Sequence, residues 1–539
     1  MKDLISLGLD FGTESVRALL VDLKGHERGS SVVGYRHGQI TQKLPGSKKN
    51  LLPDFALQHP RDWIDSAARA IRQALLSAKC VPSEIIGIGV DFTSCTMLPT
   101  KSDGTPLCLL KQFAAEPMAW PKLWKHHGAR TQADAINALA HERKEPWLAH
   151  YGGTIGLEWF FPKVLETLEV APKVYAAADV WLEAGDWFVW QLVGGSAKEL
   201  ARSTCQAGYK AMWNRQHGYP ASEFFRAMHP KMATIVQDKL PGRFLAPGEL
   251  AGGLSASMAT KFGLRPGTPV SAAIIDAHAG VPGAGASEPG TLVMVMGTSS
   301  CHMLNSDRFQ AVPGVAGIVE EGILPGMVGY ETGQAAVGDA FDWLRRTLGQ
   351  SDFSALTRMA AKIPAGSEGV ICMDWFNGCR TPLMDGTLSG AFAGLTLRHT
   401  PAHLYRALLE ASAFGVRWIV ELLREHGVSV NRFVATGGLP HHNPLLVQIY
   451  ADVLGESISV PPSKQGPALG AAILGALAAG KAVTGFSDVE EAIRTMAAPP
   501  RIRRATSTIK PRPGQVKSYS NIYPRYRQLA NMLQQLSQG

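Results

Sequence analysis

The sequence predicts an α/β protein made of two copies of one domain, and three observations carry that expectation. A short β-hairpin with a glycine and hydroxyl tip opens the chain at GLDFGTESVRALL. The same pattern returns near the middle as TLVMVMGTSSCHML. After each hairpin, short apolar runs alternate with longer stretches of helical periodicity, the pattern of sheets covered by helices.

In the first hairpin Ile5, Leu7 and Leu9 alternate with smaller or polar neighbours. Asp10-Phe11-Gly12-Thr13-Glu14-Ser15 interrupts the run, and Val16, Ala18, Leu19, Leu20 and Val21 resume it. Such a tip gathers backbone N–H groups and short hydroxyls into one concavity, which suits a phosphate, and Asp10 at its entrance suits a Mg²⁺-bound water. There is no GxxxxGK[ST], so this is not a P-loop. One hairpin alone only reverses a chain. The second copy, with Gly297-Thr298-Ser299-Ser300 at its tip, predicts paired turns that grip a nucleotide's phosphates from opposite sides.

With 539 residues the chain is too long for one core, given roughly 100–200 residues per domain. Apolar content of 45% and charged content of 18% exclude a disordered chain. The net charge of +8 is scattered. Its densest cluster, Arg501, Arg503, Arg504, Lys510 and Arg512, reads as a solvated tail that helps attract an anion such as ATP. No nucleic-acid motif accompanies it. Seven cysteines without a CxxC pair point to reduced thiols and a cytoplasmic protein. The opening residues, with Asp3 and Asp10, do not read as a signal peptide. The most apolar later stretch, 467–479, falls short of the roughly 20 residues of a membrane helix. Neither a membrane nor a nucleic acid is expected as partner, and a homo-oligomer is left open.

Along the first half, Trp63, Ile64, Ala67, Ala68, Ile71 and Leu75 mark a helix beginning at Pro60. Residues 85–90 are a strand ending at Asp91, with Thr93, Ser94 and Thr96 beyond it. An acid there fits either a site at the sheet's carboxyl edge or a turn cap. Residues 118–167 read as helical, and 181–192 (WLEAGDWFVWQL) as an aromatic core helix carrying Glu183 and Asp186. Lys210, among apolar residues, either snorkels or presents a cation to a hydroxyl. The strand before Asp276 delivers it with His278 into a Gly/Ala-rich segment, which a substrate can approach closely; taken alone, such an Asp is more often a cap after a strand.

In the second half, Tyr330-Glu331-Thr332-Gly333-Gln334 precedes a helix, and Asp374 opens a turn after a strand at 369–373. A long helix spans 401–426 and stops at Gly427. A strand at 432–436 leads into Gly437-Gly438, where a base or ribose can approach the backbone, and a helix follows from Asn443. The small-residue helix 466–480 is expected to pack on that glycine turn or to make close helix contacts.

Taken in order, DFGTESVRALL, IGVDFTSCTMLP, EWFFPK, EAGDWFVWQL, IIDAHAG, MGTSSCHML, YETGQAAVGD, WFNGCRTP, GGLPHHNPLLVQIYAD and ALGAAILGA resemble the FGGY family of carbohydrate kinases, and within it the ribulokinase branch. The resemblance implies two actin-like (ribonuclease H-like) domains with a cleft between them: residues 1–286, binding sugar and holding the base, and 287–498, binding nucleotide. A basic tail with a terminal helix, 499–539, would follow. It implies transfer of the ATP γ-phosphoryl to a terminal sugar hydroxyl, with Asp276 as general base and Ser94, Lys210, Asp276 and Glu331 around the sugar. Thr13, Ser15, Arg17, Gly297 and Thr298 would meet the phosphates, Gly438 and Asn443 the adenosine, and Asp10 would hold Mg²⁺ through water. His441 and His442 stand where relatives are expected to carry a basic residue such as lysine. The expected reaction is ATP-dependent phosphorylation of L-ribulose to L-ribulose 5-phosphate in arabinose breakdown. D-Ribulose, L-xylulose or ribitol stays open as the acceptor, and a non-catalytic actin-like ATPase module is the rival from another class.

Overall fold

The structure, a computed structural model, describes residues 4–537. Its contacts divide the chain into two units. The first runs through Ser287 and adds Ile318–Gly329 and Gln465–Pro499; the second holds Glu288–Gly317, Tyr330–Lys464 and the chain from Pro500. The expected boundary at 286/287 thus lies one residue from the observed one. The expectation of a contiguous second domain ending at 498 does not hold, because 465–499 returns to the first unit.

The first unit centres on a sheet in the order Glu27–Gly34, Ser15–Asp22, Ile5–Phe11, Ile85–Phe92, Pro269–Ser271, Leu250–Gly253, with Ile274–Ile275 also pairing with Ile85–Phe92. The hairpin is antiparallel with Asp10 opposite Arg17, and the next strand is parallel with Asp10 opposite Asp91. Ile5, Leu7, Leu9 and Phe11 are fully buried. Helix Pro60–Ala78 lays Trp63, Ala67, Ile71 and Ala74 on this core, capped at its start by His59.

The segment that returns explains its own composition. Helix Gly466–Ala478 lies backbone to backbone on the sheet, where an added Cβ at Gly8, Gly87 or Gly89 would strike the carbonyls of Ala468, Gly475 or Ala471. Gly470 likewise abuts the carbonyl of Ala279 in helix Asp276–Gly283. Ser6 Oγ donates to the carbonyl of Ala472 at 2.6 Å. The small residues therefore serve the first unit, and not the Gly437-Gly438 turn.

Two expected helical stretches are broken. Residues 180–183 form a strand paired with Met97–Thr100, and the aromatic helix begins only at Ala184. Within 118–167 the α-helices are Arg130–Glu142 and Phe160–Val170, separated by a 3₁₀ turn at Pro146–Tyr151. Their aromatics, including Trp147, Tyr151, Trp159 and Phe161, fill a second core.

The second unit repeats the hairpin topology. Its strands run Val328–Gln334, Ser300–Ser306, Thr291–Met296, Arg432–Thr436, Ile458–Val460, Ser507–Ile509, with Thr291–Met296 antiparallel to its hairpin mate and parallel to Arg432–Thr436. The last strand and helix Pro513–Ser537 correct the expected solvated tail. Ser507–Ile509 extends the sheet, and the helix buries Tyr519, Tyr523 and Tyr526. Tyr519 and Arg406 close on Glu410 of helix Pro401–Glu425, and Arg512 binds the fully buried Asp452. The basic residues read as a tail thus flank elements that complete the second core.

Candidate active site

In the first unit three acids stand at the carboxyl ends of neighbouring parallel strands. Asp10 and Asp91 are register partners and share one face, Ile274 is the partner of Asp91, and Asp276 opens the helix that follows Ile275, near enough to raise the Asp91 carboxyl. Sequence reasoning left Asp91 between site and cap; it is fully enclosed and accepts no capping bond among the described residues. As an anion its two oxygens have no hydrogen-bond partner among the described residues; protonated, it can donate to Asp10. Burial, then Asp10, then Asp276 hold the Asp91 carboxyl well above the usual carboxylate range. Burial also raises Asp10, against the pull of Arg17, whose Nη1 sits 3.0 Å from Asp10 Oδ2. Arg17 is therefore engaged with the acid beside the turn as well as near the turn itself.

The turn Gly12–Ser15 has its carbonyls taken by protein donors. Tyr35 Oη donates to Gly12 O at 3.0 Å, Gln58 Nε2 to Thr13 O at 2.8 Å, the Tyr35 N–H to Glu14 O at 2.9 Å, and the Gly12 N–H to Ser15 O at 3.0 Å. Tying the carbonyls inward turns the N–H edge toward an anion. The Thr13 hydroxyl accepts from Trp124 Nε1 at 3.1 Å.

Ser94 lies in a tight turn after Asp91, next to Cys95 at φ 56°, with Thr93 and Thr96 sharing a hydroxyl bond of 2.8 Å. Lys163, the last residue of the EWFFPK motif, fixes this turn by donating to Cys95 O at 2.6 Å and to Leu123 O at 2.9 Å. Lys210 ends helix Thr204–Lys210, which packs on the strand leading to Asp276; its Nζ is 5.2 Å from the Trp159 ring centre. The charge of Lys210 reaches Cys95, the neighbour of Ser94, and that of Asp276 reaches Asp91, all within the first unit. Glu183 is buried near the charges of Lys163 and Lys210, and burial pushes its carboxyl up to about 8.

The second unit uses the same device at its hairpin. Gly297 O accepts from the Gly338 N–H at 3.1 Å, and Thr298 O from the Val337 and Asp339 N–H groups at 3.0 and 3.1 Å. The Gly297 N–H closes on Ser299 O at 2.9 Å. Glu331, on strand Val328–Gln334, is buried and ion-paired with Arg380, a pairing that no local pattern announces.

The glycine pair divides its labour. Gly437 has φ 91° and would strike the Met296 backbone with any Cβ, whereas Gly438 is exposed with open space beside it. Asn443 caps helix Pro444–Leu454 through the Leu446 N–H at 3.1 Å and donates to Tyr405 Oη at 3.2 Å. Its amide is committed to the protein, so it shapes the helix start. His37, His59 and Asp62 place ligand-type atoms within 4.8 Å of one another. His59 Nδ1, however, accepts the Arg61 N–H and His37 Nδ1 pairs with Asp62, which makes the group a helix cap and ion pair.

Residues 5–283 match the N-terminal domain, and residues 292–479 the C-terminal domain, of the FGGY family of carbohydrate kinases. The chain belongs to that family. It is 45% identical over 528 residues to the ribulokinase of Bacillus licheniformis, covering 96% of this chain and 94% of the relative. It is 44% identical over 538 residues to the ribulokinase of Mycolicibacterium smegmatis, covering 97% and 93%. Among solved structures, the xylulose kinase of Rhodospirillum rubrum superposes with TM-score 0.79 at 23% identity, covering 99% of this chain and all of that one, 100%. The Plasmodium falciparum glycerol kinase with ADP superposes with TM-score 0.78 at 16% identity, covering 98% of each. These two establish the FGGY fold. The chain is an ATP-dependent carbohydrate kinase by family, and among the described residues no single helix is long and apolar enough to cross a membrane.

Proposed function

We propose that this carbohydrate kinase is a ribulokinase, moving the ATP γ-phosphoryl to the terminal hydroxyl of L-ribulose and supplying L-ribulose 5-phosphate to arabinose breakdown in the cytoplasm. The reading rests on Asp276 at the sheet's carboxyl edge, close enough to Asp91 to raise its carboxyl, in a chain sharing 45% identity with a ribulokinase.

Asp276 accepts the proton of the attacking hydroxyl while the new O–P bond forms and the bond to the ADP oxygen breaks. Loose phosphoryl transfer asks mainly for position and charge neutralisation, so the base needs no unusual basicity. Ser94, Lys210 and Glu331 each read a sugar hydroxyl, and Arg380 orients Glu331 as an acceptor. Thr13, Ser15 and Arg17 at the first turn, and Gly297 and Thr298 at the second, the latter through its hydroxyl as well as its N–H, meet the phosphates. Gly438 leaves room for the adenosine, with Asn443 setting the helix beside it. Mg²⁺ fits beside Asp10, since Asp91 offers two buried oxygens without a donor and a third acid stands close by. Asp10 would hold the ion, which would supply neutralisation of phosphate charge.

The test is ADP release with MgATP and, separately, L-ribulose, D-ribulose, L-xylulose, D-xylulose, ribitol, glycerol or no sugar, in wild type and Asp276→Asn. L-Ribulose is expected to give the highest kcat/KM, and the variant to lose turnover while still binding sugar. A different preferred sugar changes the substrate but keeps the mechanism. Equal ADP release without sugar, unaffected by Asp276→Asn, overturns the reading.

A further inference from the structure

The second unit contains a buried polar chain that joins its C-terminal helix to the hairpin turn at Gly297–Ser300. Tyr526 Oη donates to Asp374 Oδ1 at 2.8 Å, and Gln334 Nε2 donates to Asp374 Oδ2 at 2.8 Å and to Ser412 O at 2.9 Å. Gln334 Oε1 lies 3.3 Å from His302 Nε2, and His302 Nδ1 lies 3.5 Å from Ser300 Oγ. Every member is buried: Ser300 and His302 at 0%, Tyr526 at 1%, Gln334 at 5% and Asp374 at 6% exposure.

The direction of each bond follows from the chemistry of the groups. The Asp374 carboxylate and the Ser412 carbonyl accept only, so the Gln334 NH₂ must face them and its oxygen must face His302. His302 Nε2 therefore carries the proton, and Nδ1 is left as an acceptor toward the Ser300 hydroxyl. Burial keeps this imidazole neutral by pushing it down to about 4. The same strand presses directly on the turn: a Cβ at Gly333 would strike Ser300 O, and Thr332 Oγ1 donates to His302 O at 3.0 Å.

We propose that Tyr526, Asp374, Gln334 and His302 are positioning residues for the ATP phosphates, the C-terminal helix fixing the Gly297–Ser300 turn through this relay. The inference rests on the reading of that turn as a phosphate holder. Tyr523 supplies a control on the same helix: its hydroxyl donates to Glu421 Oε2 at 2.7 Å, outside the relay.

The experiment uses the full chain with Tyr526→Phe, Tyr523→Phe, Ser300→Ala, the double variant Tyr526→Phe/Ser300→Ala, and Thr298→Ala. Steady-state kinetics and calorimetric titration of MgADP are measured for each. Tyr526→Phe is expected to raise KM for MgATP and Kd for MgADP by about three- to ten-fold, with KM for the sugar unchanged. Tyr523→Phe should leave both nucleotide constants alone. The double variant should be no worse than the more damaging single one, because both cut one chain. If Tyr526→Phe does not fold, Asp374→Asn carries the same expectation at nearly constant volume. Weakening of MgADP by Thr298→Ala but not by Tyr526→Phe or Asp374→Asn overturns the relay alone. No weakening by Thr298→Ala overturns the phosphate reading of the turn itself.

Discussion

Replacing Gly338 by alanine tests how tightly the second hairpin turn is held. An added Cβ would lie 2.6 Å from Gly297 O, 3.2 Å from Gly297 C and 3.4 Å from Thr298 Cα. All three are backbone atoms of the turn, so no flexible side chain can absorb the methyl group. An ordinary carbon–oxygen contact is about 3.3–3.6 Å, so the turn must retreat by roughly 0.7 Å. The φ of Gly338 is not in the left-handed region, and alanine there should by itself stabilise the helix start by roughly 0.4–1 kcal/mol. Loosening one of the three bonds that tie Gly297 O and Thr298 O costs about 1–3 kcal/mol. The net stability change is therefore modest, about 2.6 kcal/mol at most, whereas a misplacement of this size in a site costs on the order of 10–100-fold in rate. Gly338→Ala is expected to lower kcat/KM for MgATP by that factor, with KM for the sugar and the melting temperature near wild type. Measured side by side, an unchanged MgATP dependence would refute the reasoning, as would a loss explained entirely by unfolding.

Arg380→Lys replaces the planar fork beside Glu331 with a point charge, and KM for the sugar is expected to rise about ten-fold at constant KM for MgATP; equal effects on both would place Arg380 elsewhere. Glu183 is held at about 8 in the fold against 4.5 unfolded, so its contribution to stability is full below 4.5 and is lost as pH rises through about 8. Glu183→Gln should therefore gain melting temperature relative to wild type between pH 5 and pH 8.5. Parallel curves would show that this carboxyl does not titrate as described. Arg406→Met leaves the buried Glu410 charge uncompensated and should cost about 3–5 kcal/mol in denaturant unfolding, part of which Arg406→Met/Glu410→Leu restores. Additive losses in the double variant would contradict a coupled pair.

Much of the fold was legible because its signals are local. Strand alternation in residues 5–11, the 3.6-residue period of Pro60–Ala78 and Pro401–Glu425, and the repeated glycine and hydroxyl tips each occupy a few consecutive residues. The aromatic run at 181–192 misled for the same reason. An all-apolar stretch has no period to separate strand from helix, and pairing with Met97–Thr100 made 180–183 a strand.

What the sequence by itself determined was the pair of hairpins, the acid at the end of each relevant strand, and the membership of one kinase family. Only the tertiary structure decided which segments share a unit, since helix Gly466–Ala478 joins the first sheet through backbone contacts more than 370 residues away in sequence, as with Gly8 and Ala468. It also decided which polar groups carry perturbed or paired charge. Arg380 and Tyr526 look unremarkable in their local sequence, and Asp91 and Glu183 stand out there only as acids at a strand end and in an aromatic run. Their properties come from what burial removes, water, and from the one partner that distant chain supplies.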